Sequence, residues 1–249
     1  MTASWTVEAD WPAPAGVRAL TTTRDGPGVS EGAFAAFNLG DRCGDEPSSV
    51  AANRARLLEM LALPEAPRWL SQVHGRDVAC FDRDGAPSLP ESDASVSMRA
   101  GRVLAVLTAD CLPVLLCSED GSGIAVAHAG WRGLAAGVLE ATVRAMATPP
   151  NQVLAWLGPA IGAQRYEVGV EVREAFVMRD AGAASAFGDV RAGHWHCDLY
   201  ALARRRLAGC GVTRVYGGGL CTYSDAARFY SYRRDGRTGR MASLIWVER

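Results

Sequence analysis

The sequence predicts a domain of mixed α and β structure with parallel and antiparallel strands in the same sheet. Three observations lead there. Short β-branched and leucine-rich runs alternate with helical segments over only part of the chain, so a purely parallel sheet does not fit. No tandem repeat, low-complexity tract or linker divides the 249 residues, which predicts a single domain over 1–249. Hydrophobic residues make up 49% and charged residues 21%, the balance of an ordinary globular protein with a sizeable core.

The elements follow in order. Loop-forming residues dominate 24–32 (RDGPGVSEG), 82–93 and 181–193. Helical spacing over 50–63 puts Leu57, Leu58 and Leu61 on one side. The runs 103–108, 113–117 and 123–128 are apolar and bounded by small or polar residues, and read as buried strands. The stretch 131–147 follows a glycine, is rich in Ala, Leu and Val, and ends before Pro149-Pro150, which predicts one long helix. A strand over 153–157 stops at Gly158-Pro159, and 170–179 is helical. Asp198 suits the N-cap of a helix running through Leu207 towards Gly209 and Gly211. Strands over 212–217 and 243–247 complete the pattern.

Charge and composition exclude several function classes. The net charge is −1 with no sustained basic block, so no nucleic-acid footprint is expected. The basic segment SYRRDGRTGR is short and better suits a pocket for a small anion. The start, MTASWTVEADWPAPAG, lacks the basic and apolar regions of a secretory signal. No apolar stretch reaches the roughly 20 residues of a membrane span. The seven cysteines are scattered, odd in number and without a C-x-x-C pair. They argue against a disulfide framework and for a reducing, cytoplasmic setting.

Three residues carry the chemistry: His74 in LSQVHGRDV, Cys111 in LTADCLPVLL and His128 in AVAHAGWRG. Each lies in or beside an apolar run that ends in small or polar residues, where a ligand can approach closely. Two imidazoles and a thiolate can hold a zinc-type metal and leave a fourth position open for water or substrate. Asp110, next to Cys111, would then serve as its outer partner or as an acid/base group. Spacings of 37 and 17 residues form no local metal motif, so buried structural roles compete with this reading. A second cluster, His194-Trp195-His196-Cys197, puts two imidazoles on one face of an extended segment, as copper or zinc sites can use. The competing assignment for it is a solvated loop.

Taken together, LSQVHG, LTADCLPVLL, AHAGWRGLAAGV, GPAIG with YEVG, and FYSYRRDGRTGRMASLIW strongly resemble the YfiH-like laccase-domain family, from about Thr21 onward. The resemblance implies a layered α/β/β/α fold of class α/β (α+β) with mixed sheets. It implies that His74, Cys111 and His128 bind zinc, with copper the lesser alternative. It implies phosphorolysis of adenosine, inosine, guanosine and methylthioadenosine, with some adenosine deamination. Purine nucleoside and phosphate are then the small-molecule partners, with no membrane or nucleic acid, for a monomer or small homo-oligomer. Catalytic roles fall to Cys111, Asp110 and His128. Asn38 (in FNLG), Arg54 (in ANR) and Arg233 resemble substrate-pocket residues, and Arg132 and Arg240 are further anion candidates. The segment Gly162-Ala163-Gln164-Arg165 lacks a cysteine pair that many relatives carry, and the His194–Cys197 cluster has no counterpart among the family ligands. Other readings of the same residues are a hydrolase or deamidase with Cys111 as nucleophile, and a peptidoglycan-precursor editing factor. A polyphenol-oxidising multicopper site would need many histidines in H-x-H pairs, and this chain has four histidines in all.

Overall fold

The first of two large sheets places the last strand in sequence order between two strands formed much earlier. The computed structural model describes residues 5–82 and 89–248. Its elements begin with β1 (Thr6–Glu8), β2 (Val17–Thr22), α1 (Pro47–Met60), β3 (Val78–Cys80), β4 (Ala94–Ser97), β5 (Val103–Thr108) and β6 (Leu112–Ser118). There follow β7 (Ile124–Ala129), α2 (Trp131–Ala136), α3 (Val138–Ala145), β8 (Val153–Leu157), β9 (Glu167–Gly169) and α4 (Val170–Val177). The remainder are β10 (Phe187–Arg191), β11 (His194–Cys197), α5 (Leu199–Gly209), β12 (Arg214–Gly217), α6 (Tyr232–Asp235) and β13 (Met241–Val247).

The first sheet has the order β1-β2-β13-β5 and is antiparallel throughout. The second, β12-β8-β6-β7-β4-β3, is mixed: β12 runs parallel to β8 and β3 parallel to β4, with antiparallel pairs between. A small antiparallel sheet, β10-β11-β9, is hydrogen-bonded to neither and packs through Val168, Phe187 and Cys197 into the core on the second sheet's outer face.

Period-two alternation explains how the layers stack. On β5, Leu104 and Val106 join Leu115, Val126, Trp156 and Ile245 in a core between the two sheets. Val103 and Ala105 face the other way and pack with Leu57 of α1, Leu39, Leu244 and Trp246. The outer face of the second sheet carries Val114, Leu116 and Ala127 against Leu139 and Val143 of α3, Phe176 of α4 and Leu202 of α5. The result is the α/β/β/α stack. Every residue of β6 is buried because it has a packed layer on each side, which is why its sequence, LPVLLCS, is almost continuously apolar.

Several sequence expectations need correction. The long helix over 131–147 is two helices, because Gly137 adopts φ 98° and closes α2 with hydrogen bonds from its N–H to Gly133 and Leu134 carbonyls. The helix expected at 50–63 begins earlier, with Pro47 in its first turn, and ends at Met60. Much of 181–193 is not loop but a 3-10 turn followed by β10. The His194–Cys197 segment is strand β11 rather than a solvated loop. Of the loop expected at 82–93, residues 83–88 lie outside the described residues. The Asp198 cap forms as expected, its Oδ1 accepting from Ala201 N at 2.9 Å. Among the described residues, no helix is long and apolar enough to cross a membrane.

Candidate active site

The chain leaves the first sheet at Thr108 and enters the second at Leu112. Ala109, Asp110 and Cys111 make that crossing. Asp110 turns it with φ 88°, a conformation that costs a non-glycine residue on the order of 1–3 kcal/mol. Hydrogen bonds hold it there. Its Oδ1 accepts from Thr222 Oγ1 at 2.6 Å, its Oδ2 from Arg233 N at 2.7 Å, and its carbonyl from Ile161 N at 2.9 Å. His128 stands near the end of β7 and pairs with Pro113 on β6, which brings it close to Cys111. His74 precedes β3 and is also left-handed, at φ 62°.

The structure thus brings together the three residues singled out in the sequence. Their ligand atoms all lie within 4.8 Å of one another, and no other such group of three His, Cys, Asp or Glu occurs among the described residues. Cys111 Sγ is 4.0 Å from His74 Nε2. The two imidazoles meet edge to face, with centroids 4.8 Å apart. Metal–ligand bonds of roughly 2.0–2.3 Å would set donor atoms about 3.3–3.6 Å apart in a tetrahedral site, so a small contraction suffices. Two nitrogens and a soft thiolate suit zinc or copper(I). His128 is buried, Cys111 half-buried and His74 exposed, so the site opens on the His74 side.

The outer partner is Asp93, which the sequence reading left in a loop; the expectation that Asp110 fills this place is corrected. Asp93 is fully buried. Its Oδ1 lies 2.7 Å from His128 Nδ1 and accepts from His74 N at 2.9 Å. Its Oδ2 accepts from Val73 N at 3.1 Å and Gly75 N at 2.7 Å. Successive backbone N–H groups form such an anion-holding concavity when an αL residue, here His74, bends the chain. One carboxylate therefore fixes the backbone of one ligand and the ring of another. Because Nδ1 of His128 faces Asp93, Nε2 is the nitrogen left for a metal. The only trace of this in the sequence is an acid just before the small-residue strand Ala94–Ser97.

The electrostatics follow from this packing. Burial alone would push the Asp93 carboxyl up, but His128 and the backbone N–H groups outweigh it and hold it below the usual range. Burial would likewise raise the Cys111 thiol, yet the charge and hydrogen bond of His128, with His74 behind them, bring it down to about 6. Burial would lower His128, but the Cys111 charge and the Asp93 hydrogen bond raise it to about 9. The metal-free pair is thus a thiolate beside an imidazolium. The His128 contribution to stability is full below its ordinary value of 6.5 and is lost as pH rises through about 9. The Cys111 contribution is full above 9.0 and is lost as pH falls through about 6. Alkylation of Cys111 in metal-free protein should therefore rise through about pH 6 and then level off, whereas buried Cys117 and Cys197, pushed up to about 12, stay unreactive. Mass-spectrometric labelling against pH measures this, and a Cys111 midpoint near 9 would contradict it.

Two cavities of about 300 Å³ each meet at the site and share His74, Ala109, Cys111 and Tyr232 in their walls. One is completed by Arg42, Gln72, Leu107, Thr108 and Arg240 among others. The other holds Trp131, Arg132, Tyr166, Asp110 and Arg233. The Arg132 guanidinium lies over the Trp131 ring at 4.5 Å and that of Arg233 over the Tyr166 ring at 5.2 Å. Neither has a carboxylate partner among the described residues, so both cations are available to an anion.

Asn38 and Arg54 line neither cavity. Asn38 is buried and pins the neighbouring loop, donating to Gly40 O and Asp45 Oδ2 and accepting from Gly40 N and Arg240 N. Arg54 donates to Leu39 O, pairs with Asp41 and stacks on Trp69. Both brace the wall of the first cavity from behind. In the His194–Cys197 cluster, strand alternation sends Cys197 into the core while His194 pairs with Glu167.

Gly130 shows how tightly the site is built. A Cβ added there would lie 2.8 Å from Cys111 Sγ and 3.3 Å from His74 Cδ2. Gly130→Ala should therefore push the thiolate out of place and weaken metal binding at least tenfold, about the lower limit for disturbing a ligand's surroundings. Competition with a chromogenic chelator measures the loss.

Comparison with known proteins places the chain among relatives over nearly its whole length. The chain is 56% identical to a protein of Xylella fastidiosa (strain Temecula1) named purine nucleoside phosphorylase, covering 98% of this chain and 97% of that one. It is 52% identical to the Escherichia coli (strain K12) protein named purine nucleoside phosphorylase YfiH, over 95% and 96% of the two chains. A crystal structure of a Neisseria meningitidis protein superposes with a TM-score of 0.93 at 47% identity, covering 99% of this chain and 100% of the other. YlmD of Geobacillus stearothermophilus superposes at 0.87 with 31% identity, over 100% and 98%. The family model described as multi-copper polyphenol oxidoreductase laccase matches residues 18–248, nearly the whole chain, and the protein belongs to that family, the YfiH-like laccase-domain proteins.

Proposed function

We propose that the protein is a zinc-dependent purine nucleoside phosphorylase acting on adenosine, inosine, guanosine and methylthioadenosine, with adenosine deamination as a secondary activity. The observation that supports it most is the pairing of the His74–Cys111–His128 triad with a cavity that carries two arginines free of carboxylates. Relatives matched over nearly their whole length carry the name purine nucleoside phosphorylase, which supports the phosphorylase part of this reading.

In phosphorolysis a phosphate oxygen bonds to C1′ of the ribose as the bond from C1′ to the base nitrogen breaks. The base leaves with the bonding electrons and takes up a proton. Arg132 and Arg233 would hold the phosphate and orient it for attack. Asp110 has both oxygens engaged by Thr222 and Arg233 N, so its part is to hold the start of α6 against the cavity rather than to donate a proton. Asp93 keeps the Nδ1 proton on His128 and so sets which nitrogen faces the site. Zinc, held by His74, Cys111 and His128, would supply a Lewis acid at its open position.

A second reading rests on the order Cys111, His128, Asp93, which is that of a nucleophile, a base and the group that orients the base. It predicts a hydrolase or deamidase that survives chelation and dies on thiol alkylation. The deciding experiment joins elemental analysis to an inosine assay with and without phosphate. One zinc per chain and hypoxanthine release that requires phosphate support phosphorolysis. Release that is unchanged without phosphate replaces it with hydrolysis.

A further inference from the structure

Tyr232 is 61% exposed, and among the described large hydrophobic side chains only Met178 is more so. Its backbone is held from every side. Ser231 before it is fully buried and caps α6, its Oγ accepting from Arg234 N at 3.2 Å. Arg233 after it donates its N–H to Asp110 Oδ2. The Arg234 guanidinium donates to the carbonyls of Thr222, Tyr223 and Phe229 and pairs with Asp235. The ring itself makes no hydrogen bond and stacks on no other ring among the described residues. An exposed aromatic ring on a hydrogen-bonded backbone therefore stands in the wall of both cavities.

We propose that Tyr232 is the platform on which the planar base of the substrate stacks, and so a specificity-determining residue of the reaction; this rests on the nucleoside reading above. Every nucleobase offers a π-face, and an aromatic platform accepts purines with different edge groups at similar strength. Its position explains how one site could serve adenine and hypoxanthine alike. The ring borders the arginine cavity as well, so a stacked base leaves Arg132 and Arg233 free for phosphate.

The test is equilibrium binding of inosine and of hypoxanthine to zinc-loaded protein, with no turnover required. Tyr232→Ala should weaken both about tenfold or more, the range of a lost base–aromatic stack. Tyr232→Phe and Tyr232→Trp keep the ring and should restore binding, and the affinity for inorganic phosphate should not move in any of the three. Because the ring is exposed, all three variants should melt with the wild type. Equal purine binding by Tyr232→Ala and wild type overturns the platform. So does a change of oligomeric state in Tyr232→Ala without a change in purine affinity, or a wild-type protein that binds no purine. Tyr232-dependent purine binding without phosphate-dependent cleavage would support the platform while removing the phosphorylase reading.

Discussion

Cys111→Ala should yield a folded protein without the stoichiometric zinc, and without the release of hypoxanthine from inosine, that the proposed phosphorylase requires. Cys111 supplies the single sulfur within reach of both imidazoles among the described residues, and it stands where the chain passes between sheets. Outer partners of metal ligands are worth about 10–100-fold in affinity. Loss of a ligand should exceed that, and the remaining two imidazoles cannot form the three-ligand site that leaves one position open. Alanine fits the space, so the thermal midpoint of metal-free Cys111→Ala should stay within a few degrees of the metal-free wild type. Metal analysis after dialysis gives the outcome directly. Full zinc retention by the variant would sink the triad.

Asp93→Asn is the second large effect, and its cause differs. The Asp93 carboxylate takes three backbone N–H groups and the His128 ring in a fully buried position. An asparagine has one acceptor oxygen and must turn an NH₂ group towards another donor. At least one buried donor is left unmet, which costs about 1–3 kcal/mol. His74 and His128 then lose their common anchor, and metal affinity should fall about 10–100-fold. Calorimetric unfolding and chelator competition on the same sample separate the two losses. Stability and affinity both equal to wild type would remove Asp93 from the site.

Much of this was legible in the residues. The three candidate ligands stand out by the small residues that follow apolar runs, although only the family resemblance set them above the His194–Cys197 cluster, and the buried strands β6, β7 and β8 stand out by continuous hydrophobicity. Asp93 was not legible. An acid before a run of Ala and Ser looks like a turn residue until the strand that follows is seen to carry it beneath the His74 loop. Gly137 was misjudged for a related reason: a glycine inside a helical pattern is usually tolerated, and only its left-handed conformation reveals the break. Asn38 and Arg54 read as pocket residues through the family resemblance, whereas their side chains bond to the loop behind the first cavity and line neither cavity. A one-dimensional pattern gives proximity without direction.

The strand order of the first sheet has a consequence for how the protein is made. All three ligands and Asp93 have been synthesised by residue 128, yet β5, which leads into Cys111, pairs along its length with β13 at 241–247. At about 5–20 residues per second, ribosomal synthesis separates the two by something on the order of ten seconds. During that interval a reactive thiol and two imidazoles exist on a nascent chain whose first sheet lacks its middle strand. The first sheet can therefore close around β5 only after Met241–Val247 has been made, and a chain stopped before Met241 would carry all four site residues without the strand that β5 pairs with.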